Sequence, residues 1–536
     1  LEDAAIVLDN NPNVIFVDFD NLEKAINIVL KNNDSLRTQL HQNGTTFSQS
    51  IKDYSYQKID IIDINSEIEL KKLEDNMSRK IFIIDQNLVD IKIFRFPNGF
   101  GGFIINAHHI ISDAWTLGLF SRRVMEAYEA VSNNEDIPYN ENFSYINYIN
   151  SENDYLSSKK FLQDKEYWNS KFEDIPLPIT LPTTTKTSDE FSCIAEREVF
   201  YISKRQLNSI NKYCKERKIS LFNFFTSIIS IYLSKINNST DFVLGTPILN
   251  RSNFNEKNTM GMFINTIPLR INIDKTNNFE TLSKSIASDS LNALRHQRYP
   301  YESLLSDLRK KDSNIPNLYN ILVSYQVTKA NKTTNYNYST TWNFNGSTTD
   351  DLTIQFYDLD ESNELTVSYD YKKLKYTKEF ISDMHSRINN IINQVIKEPE
   401  IAIKDIEVVT EKEINKINNT FNKTFFDYDK TETVISEFYK ISKENSDKTA
   451  IICNNKEITY EEITNMYVSQ IELERQYYKD TLAKSDVYVS TLIDNKKKEI
   501  DRLRPFAIQY MIEHKRLQGS KWYDNLVNKA LGSDKE

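Results

Sequence analysis

The chain holds 536 residues, 39% hydrophobic and 26% charged, the balance of a water-soluble globular protein. Its 66 basic and 76 acidic residues leave a net charge of −10, which argues against non-specific nucleic-acid binding, because that requires a basic face. The three cysteines, Cys193, Cys214 and Cys453, lie far apart, so neither a disulfide framework nor a cysteine metal site is expected, and a reduced, cytoplasmic setting is.

At roughly 100–200 residues per domain, the length accommodates three or four structural units. No stretch reaches the roughly 18 apolar residues of a membrane span. The nearest, Leu221–Leu233, is interrupted by Asn223, Thr226 and two serines and reads as a buried helix. No signal-peptide pattern opens the chain. The first residue is Leu1, not Met, so an incomplete N-terminus is expected.

In chain order, Asp20 to Asn33 reads as helix. Leu22, Ala25, Ile26, Val29 and Leu30 recur at helical spacing, and Asp20 or Asn21 is placed to cap it. Ser35–Thr38 is expected to begin a strand, with further short strands around Gln57–Ile62 and Leu88–Phe96. Gly101–Ala107 is a largely apolar run of the kind that forms buried strands. The loop Ile110–Ser112 follows. Leu117, Phe120, Val124, Ala127 and Val131 then mark one face of a helix, with Ser112 or Asp113 where its N-cap belongs. Pro176, Pro178 and Pro182, then Thr183–Thr187, read as a linker. Beyond it come a mostly apolar helix at Leu221–Ile236, a short strand at Asp241–Gly245 and a helix at Lys378–Lys397. The first 400 residues thus divide into two mixed α/β lobes of similar size.

Only six histidines occur, and two are adjacent, in Ala107-His108-His109-Ile110-Ile111-Ser112-Asp113-Ala114. Such a pair has three readings. The first is packing or capping without chemistry. The second is a metal site, which the spacing disfavours: neighbours on an extended segment point to opposite faces, and no Glu or His recurs at the zinc-helix spacing. The third is acid–base catalysis. A histidine firmly held at a strand end has an unperturbed pKa near 6.5, suited to proton transfer at neutrality. One ring then faces a reaction channel while the other packs inward.

The spacing His-His-x-x-x-Asp, followed here by Ala114 in place of Gly, resembles the signature of nonribosomal peptide condensation domains and of chloramphenicol acetyltransferase-like acyltransferases. Other segments resemble the same family in the same order. They are Leu36-Arg37-Thr38, Tyr167-Trp168 with Leu181-Pro182, and Gly245-Thr246-Pro247 with Asn250-Arg251. Then come Met260 to Thr266 with Leu269-Arg270, and His296-Gln297-Arg298-Tyr299-Pro300-Tyr301-Glu302. The resemblance covers about residues 15–405 and lacks the family's opening Pro-Leu-(Thr/Ser)-x-x-Gln segment. Residues 409–466, notably Ile458-Thr459-Tyr460-Glu461-Glu462, resemble the entry to an adenylation domain. No Thr/Ser/Gly-rich phosphate loop and no carrier-site Gly-Gly-(Asp/His)-Ser follows.

The resemblance implies an α/β fold of two chloramphenicol acetyltransferase-like lobes in a V shape, each a mixed sheet with helices, and the composition adds a helical C-terminal tail. The expected domains are an N-lobe at 1–175, a C-lobe at 176–405, a linker with a truncated adenylation entry at 406–466, and a tail at 467–536. It further implies amide formation between donor and acceptor thioesters. Upstream and downstream peptidyl carrier proteins deliver them on phosphopantetheine arms, and no cofactor, metal, nucleic acid or membrane is engaged directly. His109 is the implied catalytic residue, facing a tunnel between the lobes, and His108 packs. Asp113 is expected to be structural and to pair with an arginine of the second lobe, Arg251 before Arg270. Ala114, Trp115, Asn265 and Thr266 are tunnel candidates. Asn265 and Thr266 are expected on a lobe-crossing loop, the alternative being a polar strand end. A non-catalytic carrier-docking scaffold, an epimerisation domain and a CoA-dependent acyltransferase are the competing readings.

Overall fold

A computed structural model describes residues 2–8, 17–137, 143–183, 192–315, 317–327, 336, 338–358, 364–424, 427, 433–453, 456–482 and 492–505. The chain divides into two compact units, Leu1–Thr420 and Phe421–Glu536.

The first unit begins with β1 (Glu2–Leu8), α1 (Phe19–Asn32), β2 (Thr38–Asn43), β3 (Thr46–Ile51), β4 (Ile61–Asp63) and α2 (Glu67–Ser78). It continues with β5 (Val89–Arg95), β6 (Gly101–Ala107), α3 (Ala114–Asn133), α4 (Tyr145–Leu156) and α5 (Lys159–Lys171). After the proline-rich stretch come β7 (Ala195–Ile202), α6 (Lys204–Arg217), α7 (Leu221–Asn237), β8 (Asp241–Ile248), α8 (Phe254–Asn258) and β9 (Asn265–Asn272). Then follow α9 (Phe279–Leu294), α10 (Tyr301–Arg309), β10 (Ile321–Val327), β11 (Tyr338–Phe344), β12 (Leu352–Asp358), β13 (Leu365–Lys372), α11 (Lys378–Lys397) and α12 (Glu411–Lys416). The second unit carries α13 (Val434–Glu444), β14 (Thr449–Cys453), β15 (Lys456–Thr459) and α14 (Tyr460–Leu482), and residues 492–505 are helical.

Two mixed sheets organise the first unit, in the order β11-β1-β6-β5-β4 and β7-β13-β12-β10-β8-β9. On the first sheet α1 and α3 pack through Leu22, Ile26, Val29, Phe120 and Val124 against Phe103 and Ile105. On the second, α7 is buried nearly throughout, with Phe224, Ile228 and Tyr232 against Phe242, Ile354 and Tyr369. Burial of that kind stabilises by roughly 1.5–3 kcal/mol per large apolar side chain, which accounts for the apolarity of α7. Among the described residues no single helix is long and apolar enough to cross a membrane.

The chain does not respect a clean division at residue 175. β11, far into the second half, pairs antiparallel with β1 in the first sheet, from Glu2–Phe344 to Leu8–Tyr338. Conversely, α5 packs with the second half: Trp168 and Phe172 join Val243, Ile267, Tyr299 and Leu304. The histidine motif of the second half holds this helix. The His296 carbonyl accepts from Trp168 Nε1 at 3.0 Å, and its ring stacks on Tyr167. Buried Asp164 accepts from Tyr155, Lys160 and His296.

Local expectations are corrected at two places. The cap of α1 is Asp18, whose carboxylate accepts from Asn21 N at 2.9 Å, so the helix starts at Phe19, ahead of both Asp20 and Asn21. Asp34–Arg37 forms a 3-10 turn, and the strand begins only at Thr38. The turn is held by tertiary bonds: Arg37 donates to the carbonyls of Leu30, Lys31 and Lys52, and Asp34 accepts from Tyr145 N. Within the expected linker Thr183–Thr187, residues 184–187 lie outside the described residues.

One carboxyl in the second sheet is unfavourably placed. Burial pushes Asp350, just ahead of β12, up to about 6. The unfolded chain releases this proton near 3.9, the folded chain near 6. Stability therefore falls as pH rises between those values and stays lower above them. Asp350→Asn should stabilise the fold at pH 8 by about 3 kcal/mol and have far less effect at pH 4. Thermal melts at both values check this, and equal effects at the two would refute it.

Candidate functional site

The site is built where the buried strand β6 ends. His108 N donates to Leu88 O, keeping the segment in the ladder for one more residue. The chain then turns tightly: Ile111 N donates to His108 O, and Ser112 Oγ donates to the same carbonyl. Ile111 anchors the turn in a pocket of Leu40 and Leu88. Asp113 caps α3, accepting from Thr116 N at 2.8 Å, so Ala114 is the first helical residue. A helical first turn requires no positive φ, and alanine is favourable there.

The two imidazoles end in opposite states. His109 is exposed, and its Nδ1 lies 2.7 Å from the Ser112 carbonyl. A carbonyl only accepts, so Nδ1 carries the proton and Nε2 presents its lone pair. His108 Nδ1 instead accepts from Ile110 N at 3.1 Å, which leaves the proton on Nε2. The His108 ring is half-buried, edge-on to Phe82, and burial, then the charge of His109, lowers its pKa. Of the two rings, only that of His109 keeps a nitrogen lone pair without a hydrogen bond among the described residues.

Asp113 continues into an ion pair that joins the two halves of the chain. Arg251 Nη1 lies 2.7 Å from Asp113 Oδ2 and Nη2 lies 3.1 Å from Oδ1, with both side chains fully buried. Arg251 also donates to the carbonyls of Glu256 and Gly261, and its guanidinium sits 4.0 Å over the Phe263 ring. Asp113 Oδ2 accepts from Phe263 N as well. Thr116 Oγ1 bonds Gly261 on both sides, donating to its carbonyl and accepting from its N–H. Gly261 has φ +146°, and a Cβ there would stand 2.2 Å from the Tyr145 ring, so only glycine fits.

The connection between β8 and β9 thus plugs into the first sheet's layer. Its Met260 is buried in the core of that layer. Trp115 Nε1 donates to Lys257 O, and Arg123 to Asn258 O. Beside this connection lies a cavity of about 120 Å³ whose lining includes Tyr148, Lys160 and Asp164 from α4–α5 and Asn250, Ser252 and Arg298 from the second half. His109 is not among its lining residues.

The remaining candidates lie elsewhere. Arg270 sits on β9 and pairs with Asp241, at 2.6 Å, not with Asp113. Asn265 and Thr266 are not on a crossing loop. They open β9, opposite Ile248 and Pro247, and Asn265 donates to the carbonyls of Gln297 and Tyr299. Sequence reasoning missed Thr116 and Tyr145, whose hydroxyls bind the crossing segment at Gly261 and Met262. Thr116 lies at i+3 from the cap, a position that could have drawn attention to it.

A family model described as condensation domain matches residues 15–418. The chain belongs to the condensation-domain family. Among curated proteins, the condensation-domain chain is similar to one of the plipastatin synthase subunits of Bacillus subtilis (strain 168), 26% identical over 85% of this chain and 18% of that one. It is also similar to surfactin synthase subunit 1 of the same organism, 27% identical over 83% of this chain and 12% of that one. The chain therefore spans less than a fifth of the length of these relatives. Among solved structures, the starter condensation domain of rhizomide synthetase in complex with C8-CoA matches with a TM-score of 0.65 at 21% identity. That match covers 76% of this chain and 91% of the other. The X-domain from teicoplanin biosynthesis matches with a TM-score of 0.67 at 15% identity, over 76% and 93%. At these identities the structural matches speak for the fold.

Proposed function

We propose that this condensation domain forms an amide bond between a carrier-bound donor acyl or peptidyl thioester and a carrier-bound acceptor aminoacyl thioester. The observation that carries this reading is the 2.7 Å contact of His109 Nδ1 with the Ser112 carbonyl, which places the proton on Nδ1 and leaves Nε2 as a base. The acceptor amine attacks the donor carbonyl carbon. His109 Nε2 takes the proton the nitrogen loses, and the oxyanion collapses with cleavage of the carbon–sulfur bond. The proton ends on the departing thiol, so amide and thiol are the products. Tethering both reactants to carriers supplies proximity, and general acid–base help adds about 10²–10⁴-fold. The arms involved are the phosphopantetheine arms of the upstream and downstream peptidyl carrier proteins, in the cytoplasm.

Asp113, Arg251 and Thr116 are positioning residues in this reading. They fix the turn that carries His109 and tie it to the second half. The test is a condensation assay with loaded carriers, run beside free CoA thioesters. Amide formed from loaded carriers supports the reading. Transfer from CoA thioesters alone would make this a soluble-substrate acyltransferase. Carrier binding without product would make it a scaffold.

We further read residues 409–466 as the entry of an adenylation domain. The segment Ile458-Thr459-Tyr460-Glu461-Glu462, which resembles that entry, supports this. Only Gly519 and Gly532 occur after residue 466, so no glycine-rich phosphate loop is encoded there. Amino-acid-dependent exchange of pyrophosphate into ATP should accordingly be absent, and clear exchange by the purified chain would refute this.

A further inference from the structure

The unit that begins at Phe421 has little core of its own: among its described residues only Ser442 is buried. Its helices are amphipathic nevertheless. On α14, Met466, Leu473 and Tyr477 recur at i, i+7 and i+11 and so share one face. They stand 63%, 67% and 62% exposed. On the helix 492–505, Ile493, Ile500 and Leu503 share a face in the same way, at 62%, 62% and 51%. Each of these six side chains is thus more than half exposed. A free helix of ~14 residues is marginal in water, because helices gain most of their stability by packing an apolar face. Two open apolar stripes therefore point to a partner.

The charges identify it. The α14 stripe is bordered by Glu462 and Glu474, and acids outnumber bases between Tyr460 and Tyr477: Glu461, Glu462, Glu472 and Glu474 against Arg475. The second stripe is bordered by Lys497 and Arg504. Here bases prevail, with Lys496, Lys497, Lys498, Arg502 and Arg504 against Asp494, Glu499 and Asp501. One chain thus carries both halves of a complementary set, an acidic apolar stripe and a basic one. A twofold interface can use this, since each surface then meets its complement on the other copy. Opposite charges along an apolar seam also set which helices pair.

We propose that α14 and residues 492–505 form an interface with a second copy of this chain, α14 of each copy seating the basic helix of the other. Sedimentation equilibrium of the whole chain should give twice the monomer mass. Leu473→Lys combined with Ile500→Glu should move the population to the monomer mass. Glu474→Lys alone should weaken the dimer, and adding Lys497→Glu should restore it. Far-UV circular dichroism and the melting of the unit bearing His109 should be unchanged in each variant. A wild-type chain that stays monomeric at high micromolar concentration overturns the proposal, since the stripes then close within one chain or on another protein. A dimer that survives the Leu473/Ile500 pair overturns it equally.

Discussion

His109→Ala should lower amide formation by about 10²–10⁴-fold and leave the melting profile in place. The side chain is exposed and makes one polar contact, Nδ1 to the Ser112 carbonyl, so its removal opens no cavity in the core. What disappears is the only imidazole of the pair whose Nε2 is free to accept a proton. His108→Ala should behave differently. It removes the ring that packs against Phe82 and holds Ile110 N, so thermal stability should fall with a smaller direct effect on rate. Single-turnover measurements with loaded carriers separate the two. Near wild-type turnover in a folded His109→Ala chain would leave proximity alone as the source of rate and would remove His109 from the chemistry.

Asp113→Ala should cost about 3–5 kcal/mol of stability. The substitution strands the Arg251 guanidinium in a fully buried position, and the Phe263 and Thr116 amides lose their acceptor as well. Stability and rate should fall together, because the same carboxylate caps α3 and holds the loop that bears His109. A second variant guards against simple misfolding. Asp113→Leu combined with Arg251→Met removes both charges and should recover much of the lost stability, since a buried ion pair is often replaceable by apolar residues of similar volume. Urea and thermal melts of the two variants beside the wild-type chain measure this. An Asp113→Ala chain of unchanged stability and no activity would assign Asp113 to the reaction itself.

Strand β6 and helices α3, α7 and α11 were legible because each depends on a local pattern that burial then respects. An apolar run becomes a central strand, and a 3.6-residue stripe faces the core. The loop between β6 and α3 was legible for the same reason: Asp113 caps a helix that its own neighbours form. What was not legible depends on partners distant in sequence. The 3-10 turn at Asp34–Arg37 is held because Arg37 reaches three carbonyls and Asp34 accepts from Tyr145 N at the start of α4. The hairpin β2–β3 is polar and largely exposed, so it carries no alternating apolar signal. Choosing between Arg251 and Arg270 was beyond local pattern as well. Both follow or lie on strands beside motif residues, and only the register of β8 with β9 puts Arg270 near Asp241. Gly261 stood in plain view within its motif, but its need to be glycine comes from the Tyr145 ring, more than a hundred residues earlier.

Two of the places where the chain passes between its halves bear on recombination. β11 completes the edge of a sheet begun by β1, and Met260 fills a core whose other fully buried residues all precede residue 130. A chimera cut in the proline-rich stretch after α5 would inherit its first sheet from one parent and that sheet's outer strand from the other. It would also drive a foreign side chain into the position of Met260 and a foreign backbone past Tyr145. Donor-for-donor exchange at that boundary is therefore a repacking problem, not a modular one. A breakpoint after Thr420, where the compact unit ends, leaves both crossings and the Asp113–Arg251 pair with their native partners.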